Sequence, residues 1–223
     1  MDDLAPRFDA VLFDLDGVLT DSEPWWDEVR VEFARAHERP WTHDDQHAVM
    51  GSNSSEWAAT MRRRLRLEHL DASSIQDAIV DGMVERYATL ASPVITGAPD
   101  VVRRVAARRP VAIASSSHRR VIEAAVDALG LHGVFGAIVS SDDVPRGKPA
   151  PDVYLLAAER LGVQATRCIV VEDSLNGVRA GKAAGAFVVL VPNASVPPAG
   201  DARNLADLVL DRLADLDPDG LAA

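Results

Sequence analysis

The stretch that decides the fold is AVLFDLDGVLTDSE, residues 10–23. Its apolar start predicts a buried strand, and Asp14 and Asp16 follow at the point where that strand ends. Two carboxylates in a half-buried place are costly to keep ionised unless a cation or a phosphoryl group lies beside them. The spacing of the two acids therefore predicts a metal site at the carboxyl end of the first strand.

Four further apolar runs predict that this strand belongs to a parallel sheet. They are continuous rather than alternating, as expected for strands that helices cover on both faces. The five predicted strands are residues 10–14, 111–115, 136–140, 168–172 and 187–191. Helical patterns lie between them, and Ser117 is the predicted N-cap of one that ends at Gly130. This alternation indicates an α/β fold with a doubly wound, Rossmann-like parallel sheet.

The segment over residues 22–91 interrupts the alternation of strands and helices. It contains no convincing strand, and a structureless loop of that length is improbable inside a compact domain. Ser73 and Gln76 have the spacing of a capping box, which predicts the start of a helix. We therefore expect a helical cap domain over residues 22–91, inserted into an α/β core formed by residues 1–21 and 92–223.

The overall charge restricts the classes of partner. The 223 residues include 23 Lys and Arg against 34 Asp and Glu, which gives a formal net charge of -11. Nucleic acids and anionic membranes bind basic surfaces, so neither is expected as a partner. No stretch has the apolar length of a membrane helix, and MDDLAPRFDA has acids where a secretory signal has bases. We expect a cytoplasmic protein, and the sequence leaves monomer and dimer open.

Polar side chains follow several predicted strands, and the carboxyl ends of parallel strands meet at one edge of a sheet. Ser115 and Ser116 follow the second strand, Lys148 lies in RGKPAPD, and Glu172 and Asp173 follow the fourth strand. Each alone could be a turn residue, a helix cap or a solvated side chain. Their joint position at strand ends indicates one functional site.

These residue types suit the transfer of a phosphoryl group. A carboxylate beside a divalent cation can attack phosphorus, and a second carboxyl can protonate the leaving oxygen and later deprotonate water. A hydroxyl with backbone N–H groups can hold the phosphoryl oxygens, and a lysine can offset their charge. Oxygen ligands without a cysteine or histidine pair favour Mg²⁺ over zinc.

Four segments, FDLDGVLTDSE, AIASSS, RGKPAPD and VVEDSLNGV, resemble the four motifs of the haloacid dehalogenase superfamily in order and spacing. The resemblance covers nearly the whole chain, and it is to the branch of β-phosphoglucomutase and small sugar-phosphate phosphatases. It implies a Mg²⁺-dependent phosphomonoesterase that hydrolyses small phosphorylated metabolites, sugar or polyol phosphates, through an aspartyl phosphate.

The resemblance also implies which residues perform the chemistry and hold the metal. Asp14 resembles the nucleophile, which is also a metal ligand. Asp16 resembles the general acid and base, whose backbone carbonyl binds the metal. Asp173 resembles the main metal ligand of the fourth motif, and Glu172 resembles a second one.

Three further residues resemble the phosphate-binding set of the family. Ser115 resembles the residue whose hydroxyl holds the phosphate, and Ser116 the neighbour that contributes its N–H. Lys148 resembles the catalytic lysine that balances the charge of the nucleophile and the phosphate.

The cap segment bears on the choice between phosphatase and mutase. In β-phosphoglucomutases a cap loop supplies an arginine shortly after a glycine, whereas MGSNSSEW, residues 50–57, is followed by no base until Arg62. This departure favours a phosphatase and leaves a β-phosphoglucomutase-type phosphosugar mutase as the alternative.

The sequence DSEPWW resembles the start of the cap in hexose-phosphate and sugar-alcohol phosphatases. The resemblance makes Glu23, Trp25 and Asn53 candidates for contact with the substrate. Helical spacing predicts that Trp26 and Trp57 belong to the core of the cap.

A phospho-acceptor receiver domain is the second functional class that an aspartate, a hydroxyl and a lysine allow. Such domains carry the acceptor on the third strand and have no cap, so the Asp14–Asp16 pair and the insertion count against this class. Metal-independent dehalogenases lack the second aspartate, which counts against dehalogenation.

Overall fold

The computed structural model describes residues 8–49 and 52–220. Its strands are β1 (Ala10–Phe13), β2 (Val111–Ser115), β3 (Ala137–Ser140), β4 (Cys168–Glu172), β5 (Phe187–Leu190) and β6 (Leu208–Val209). They form one sheet in the order β3-β2-β1-β4-β5-β6, and all five pairings are parallel. The predicted doubly wound α/β fold is confirmed.

The first strand lies at the centre of the sheet, where Val11 is in register with Val111 of β2 and Ile169 of β4. Strands β2 and β3 lie on one side of β1. The chain then crosses over, and β4, β5 and β6 lie on the other side. Such a switch point leaves a crevice at the carboxyl ends of the strands, and Asp14 follows β1 at this crevice.

The described residues between β1 and the first core helix form four helices, which confirms the expected helical cap. They are α1 (Glu23–Ala36), α2 (His43–His47), α3 (Ser54–Arg64) and α4 (Ala72–Thr89). Within the cap, α4 packs against α1 and α3. The predicted boundaries of the cap, at residues 22 and 91, stay a prediction.

Helices of the core cover both faces of the sheet. They are α5 (Ala98–Ala106), α6 (Arg119–Ala128), α7 (Asp152–Arg160), α8 (Leu175–Ala183) and the short α9 (Ala202–Leu205). Val11 and Phe13 of β1 belong to the apolar cluster that includes α5, α6 and the cap. Ala10 and Leu12 belong to the cluster that includes α7 and α8. Both faces of β1 are therefore buried, which explains its continuous apolar sequence.

Three details differ from the expectations. The short strand β6 was not predicted, because two half-buried residues at the sheet edge leave no distinct pattern. The capping box predicted at Ser73 and Gln76 is wrong, since α4 begins at Ala72 with Asp71 as its N-cap. Ser117 is not a helix cap either, since His118 caps α6 and accepts the backbone N–H of Arg120 through Nδ1.

No helix in the described parts of the chain combines the length and apolar character that a membrane crossing requires. The predicted absence of a secretory signal concerns an amino-terminal stretch whose residues 1–7 lie outside the described ranges.

Candidate active site

A buried lysine joins the ends of two neighbouring strands. Lys148 Nζ donates a hydrogen bond to Asp14 Oδ1 and another to Glu172 Oε1, each at 2.6 Å. Its side chain is only 4% exposed. Burial acts to lower the pKa of Lys148, but the two carboxylates raise it well above its usual value. The lysine is therefore a fixed positive charge between the two acids.

Glu172, the last residue of β4, is fully buried, and protein donors engage both of its carboxylate oxygens. Oε1 accepts the Tyr154 hydroxyl at 2.7 Å in addition to Lys148. Oε2 accepts the backbone N–H of Asp173 and both the N–H and the hydroxyl of Ser174. Burial acts to raise the pKa of Glu172, but Lys148 and these hydrogen bonds hold it below its usual value. Glu172 is thus an ionised buried carboxylate.

The Tyr154 hydroxyl offers a first test of this arrangement. The Tyr154→Phe variant keeps the buried ring and removes one donor from Glu172, so we expect a loss of about 1–2 kcal/mol in the free energy of unfolding. Denaturant titration of the variant and the unmodified protein measures this difference. Equal stability would mean that the hydroxyl does not help to hold the Glu172 carboxylate.

Three carboxylates meet beside this lysine. One oxygen from each of Asp14, Glu172 and Asp173 lies within 4.8 Å of the other two. Burial and the neighbouring acids raise the pKa of Asp14 and of Asp173. The Asp173 carboxylate lies against Gly17, where φ is +85° and a side chain would collide with it. Three acids against one lysine leave excess negative charge, and this set of oxygen donors fits a hard divalent cation such as Mg²⁺.

The Asp16 carboxylate is held by donors from both the cap and the core. Oδ1 accepts the Ser22 hydroxyl and, at 3.2 Å, the Trp26 indole N–H. Oδ2 accepts the Ser117 hydroxyl at 2.7 Å. Ser22 and Trp26 belong to the start of the cap, whereas Ser117 follows β2 of the core. The carboxylate is thus outside the acidic cluster, and the role predicted for its backbone carbonyl stays a prediction.

The serines after β2 are divided between the interior and a cavity. Ser115 is fully buried, and its Oγ accepts the backbone N–H of Ser117 at 3.0 Å. Ser116 and Ser117 line a cavity of about 320 Å³, together with Asp14 and Lys148. The structure therefore places Ser116 and Ser117 on the cavity wall and Ser115 behind them.

The cap contributes the opposite wall of the cavity. Glu23 lines it, as do Trp26 and Trp57, which are also largely buried as predicted. Trp25 instead packs edge-on against Tyr87, with ring centroids 5.1 Å apart. Asn53 caps α3 by accepting the backbone N–H of Glu56. Neither Trp25 nor Asn53 is among the residues that line the cavity.

Sequence reasoning missed Arg30, which lines the cavity from α1. Glu23, Trp26 and Arg30 share one face of α1 at spacings of three and four residues, but this spacing alone does not show that the arginine is buried. Arg62, the first base after the 50–57 loop, instead donates to the carbonyls of Glu68 and Leu70 within the cap.

A loop after β5 also lines the cavity and was not predicted to do so. Its residues 196–199 form part of the wall. The loop is fixed by Asp21, which accepts hydrogen bonds from Asn193 Nδ2 at 3.2 Å and from the Ser195 hydroxyl at 2.6 Å. Asp21 comes directly before the cap, so the loop is attached at the junction of cap and core.

The fold and this arrangement of acids and lysine define a class of hydrolase. The sequence-family model for haloacid dehalogenase-like hydrolases matches residues 8–185, and the chain belongs to that family. The predicted family and enzyme class, a phosphatase of this family, are confirmed.

Individual relatives support the same placement. The chain is 32% identical over 185 residues to fructose-1-phosphate phosphatase YqaB of Escherichia coli (strain K12), with 80% of this chain and 94% of that protein covered. It is 30% identical over 227 residues to hexitol phosphatase B of the same strain, with 93% of each chain covered. The crystal structure of CbbY from Rhodobacter sphaeroides in complex with phosphate superposes with a TM-score of 0.80 at 28% identity, covering 94% and 96% of the two chains.

Proposed function

We propose that this protein is a cytoplasmic, Mg²⁺-dependent phosphomonoesterase that hydrolyses small sugar or polyol phosphates through a phosphorylated Asp14. The observation that carries the proposal is the position of Asp14, which lies on the cavity wall, paired with Lys148 and next to two further acids. The activities named for the two Escherichia coli relatives support the choice of substrate class.

In the first step, the Asp14 carboxylate attacks phosphorus and the bond between phosphorus and the ester oxygen breaks. Asp16 donates a proton to the leaving oxygen, so the alcohol departs neutral. Lys148 offsets the negative charge that Asp14 and the phosphate share, and it orients Asp14 through the 2.6 Å hydrogen bond. Ser116 and Ser117 line the cavity beside Asp14, where their polar groups can hold phosphoryl oxygens.

In the second step, water replaces the alcohol and hydrolyses the aspartyl phosphate. Asp16, now ionised, takes a proton from the water as the water oxygen attacks phosphorus. Inorganic phosphate leaves, and both aspartates return to their starting states. One group thus acts first as an acid and then as a base.

The residues that would hold Mg²⁺ are Asp14, Asp173 and Glu172, with the backbone carbonyl of Asp16. Asp173 is the strongest candidate, because no hydrogen bond or ion pair engages its side chain within residues 8–49 and 52–220. When bound, Mg²⁺ supplies positive charge that lowers the repulsion between the attacking carboxylate and the phosphate.

Phosphate release tests the proposal directly. We expect Mg²⁺-dependent release from one or a few members of a panel of hexose, pentose and polyol monophosphates. The absence of release, with conversion of β-glucose 1-phosphate to glucose 6-phosphate once a bisphosphate primer is added, would establish the mutase alternative.

The acid and base roles of Asp16 predict a dependence on the leaving group. We expect Asp16→Asn to lower steady-state turnover of alkyl phosphates by about 10²–10⁴-fold. An aryl phosphate has a good leaving group and needs little protonation, so its first step should be far less impaired than its second. Rapid-quench measurement should then show a burst of phenol followed by slow turnover. Unchanged turnover of alkyl phosphates would remove Asp16 from this role.

A further inference from the structure

A buried arginine on the cavity wall lacks an acidic partner. Arg30 is only 5% exposed, and no carboxylate in the described ranges lies within 4.0 Å of its guanidinium. Nη1 donates to Gln46 Oε1 at 3.2 Å, whereas the buried Nε has no hydrogen-bond partner. An unpaired buried charge and an unused donor are both costly. The observation therefore points to a ligand group that completes the site.

Two tryptophans fix the orientation of this arginine. The guanidinium carbon lies 5.2 Å from the ring centroid of Trp26 and 5.7 Å from that of Trp57. A positive charge over indole rings offsets part of the cost of burial. The two ring planes are inclined at 61° to each other, and the N–H on Nε still has no acceptor.

Arg30 lines the same cavity as Asp14 and Asp16, the residues proposed to transfer the phosphoryl group. Trp26 connects the two places, because its indole N–H contacts Asp16 and the guanidinium carbon of Arg30 lies over its ring. Arg30 and Asp16 both line the cavity, so a substrate that places its phosphate ester beside Asp16 can also reach Arg30.

We propose that Arg30 determines specificity by binding an anionic group, a carboxylate or a second phosphate, at the end of the substrate opposite the phosphate ester. The inference rests on the proposed phosphatase activity and adds a second anionic group to the substrate on which it acts. A carboxylate or phosphate offers two oxygens to the guanidinium edge and neutralises its charge. A hydroxyl would fill one donor and leave the buried charge unpaired.

Charge near the arginine agrees with this assignment. Burial lowers the pKa of Arg30 to about 10, so the guanidinium is still charged at neutral pH. Glu23, Asp27 and Asp16 act in the opposite direction and raise the pKa of Arg30.

Matched substrate pairs test the proposal. Glycerol 3-phosphate and 3-phosphoglycerate differ by a terminal carboxylate, and fructose 1-phosphate and fructose 1,6-bisphosphate differ by a second phosphate. We expect kcat/KM to be at least about tenfold higher for the anionic member of one pair, and the pair concerned identifies the group as carboxylate or phosphate.

Two variants should remove this preference. Arg30→Gln eliminates the charge, and we expect equal kcat/KM for both members of the pair, mainly through a higher KM for the anionic one. Gln46→Glu is isosteric and puts a carboxylate beside Nη1, so it should weaken the preference while Arg30 stays in place. The control is Arg35→Gln. Arg35 is an exposed arginine on the same helix, so this variant should leave kcat/KM unchanged for both substrates. Melting temperatures establish that each variant is folded.

The outcomes separate the two proposals. Two outcomes would overturn the role of Arg30 and leave the phosphatase proposal intact. One is phosphate release without a preference for either anionic substrate. The other is an equal loss of kcat/KM for both members of a pair in Arg30→Gln. If Arg30→Gln does not fold, an unchanged preference in Gln46→Glu would overturn it. No release from any compound would contradict the phosphatase and, with it, this inference.

Discussion

Replacing Asp14 by asparagine is expected to lower turnover by about 10⁴-fold or more, because the amide oxygen cannot form the covalent phosphoryl intermediate. The side chain keeps its shape, and its oxygen can still accept the hydrogen bond from Lys148. The measurement is phosphate release in Mg²⁺ with the best substrate of the panel. Mass spectrometry of acid-quenched protein should show a phosphorylated species for the unmodified chain and none for the variant.

The control for this prediction is the fold of the variant. Lys148 keeps Glu172 as an ionised partner, and one of three clustered carboxylates is removed, so the melting temperature should change by only a few degrees. A folded Asp14→Asn variant with normal turnover would show that another group is the nucleophile. A variant that fails to fold would show that Asp14 is also required for the structure.

Replacing Lys148 by methionine should have the largest effect on stability. Removal of one partner from a buried ion pair costs about 3–5 kcal/mol, and here two carboxylates lose their cation. For a chain of this length we expect the melting temperature to fall by about 10 °C. Turnover should fall by about 10³-fold, because the charge shared by Asp14 and the phosphate is no longer offset. Added Mg²⁺ should restore part of the stability by compensating the same acids.

The chain provides a matched control for this variant. Its sequence contains two lysines, and the second, Lys182, makes two hydrogen bonds to the carboxylate of Asp207. The Lys182 side chain is 39% exposed, and exposed ion pairs contribute little to stability. Lys182→Met should therefore lower the melting temperature by about 2 °C or less and leave turnover unchanged. Equal melting temperatures for Lys148→Met and Lys182→Met would contradict the claim that the buried lysine contributes more to stability than the exposed one.

The core of the site could be predicted because it follows from the order of the strands. Parallel strands buried on both faces are continuous apolar runs, and their carboxyl ends meet at one edge. Asp14, Glu172 and Asp173 are placed together by that rule alone, and the structure brings them within 4.8 Å. The choice between Ser117 and His118 as a helix cap could not be predicted. The Ser117 hydroxyl donates to Asp16, and this tertiary contact leaves no local pattern in the sequence.

The cap wall was harder to predict, because adjacent helix residues point only about 100° apart and both can be at least partly buried. Trp25 and Trp26 are adjacent and chemically equivalent in the sequence, but only Trp26 lies on the face with Arg30. Arginines on amphipathic helices are ordinarily exposed, so a buried one escapes an argument from pattern. Its position depends on two indole rings from different helices, which no local signal reports.

The contrast between the two lysines has a practical consequence for attaching the enzyme to a surface. Lys148 is enclosed by acids and protected from reagents, whereas the amine of Lys182 is accessible. Lys182 lies near the end of α8, and Leu175 at the start of that helix lines the cavity about 10 Å away. Among the lysine side chains, amine-directed coupling to a solid support would thus take place at Lys182, at the end of α8 away from Leu175 and the cavity.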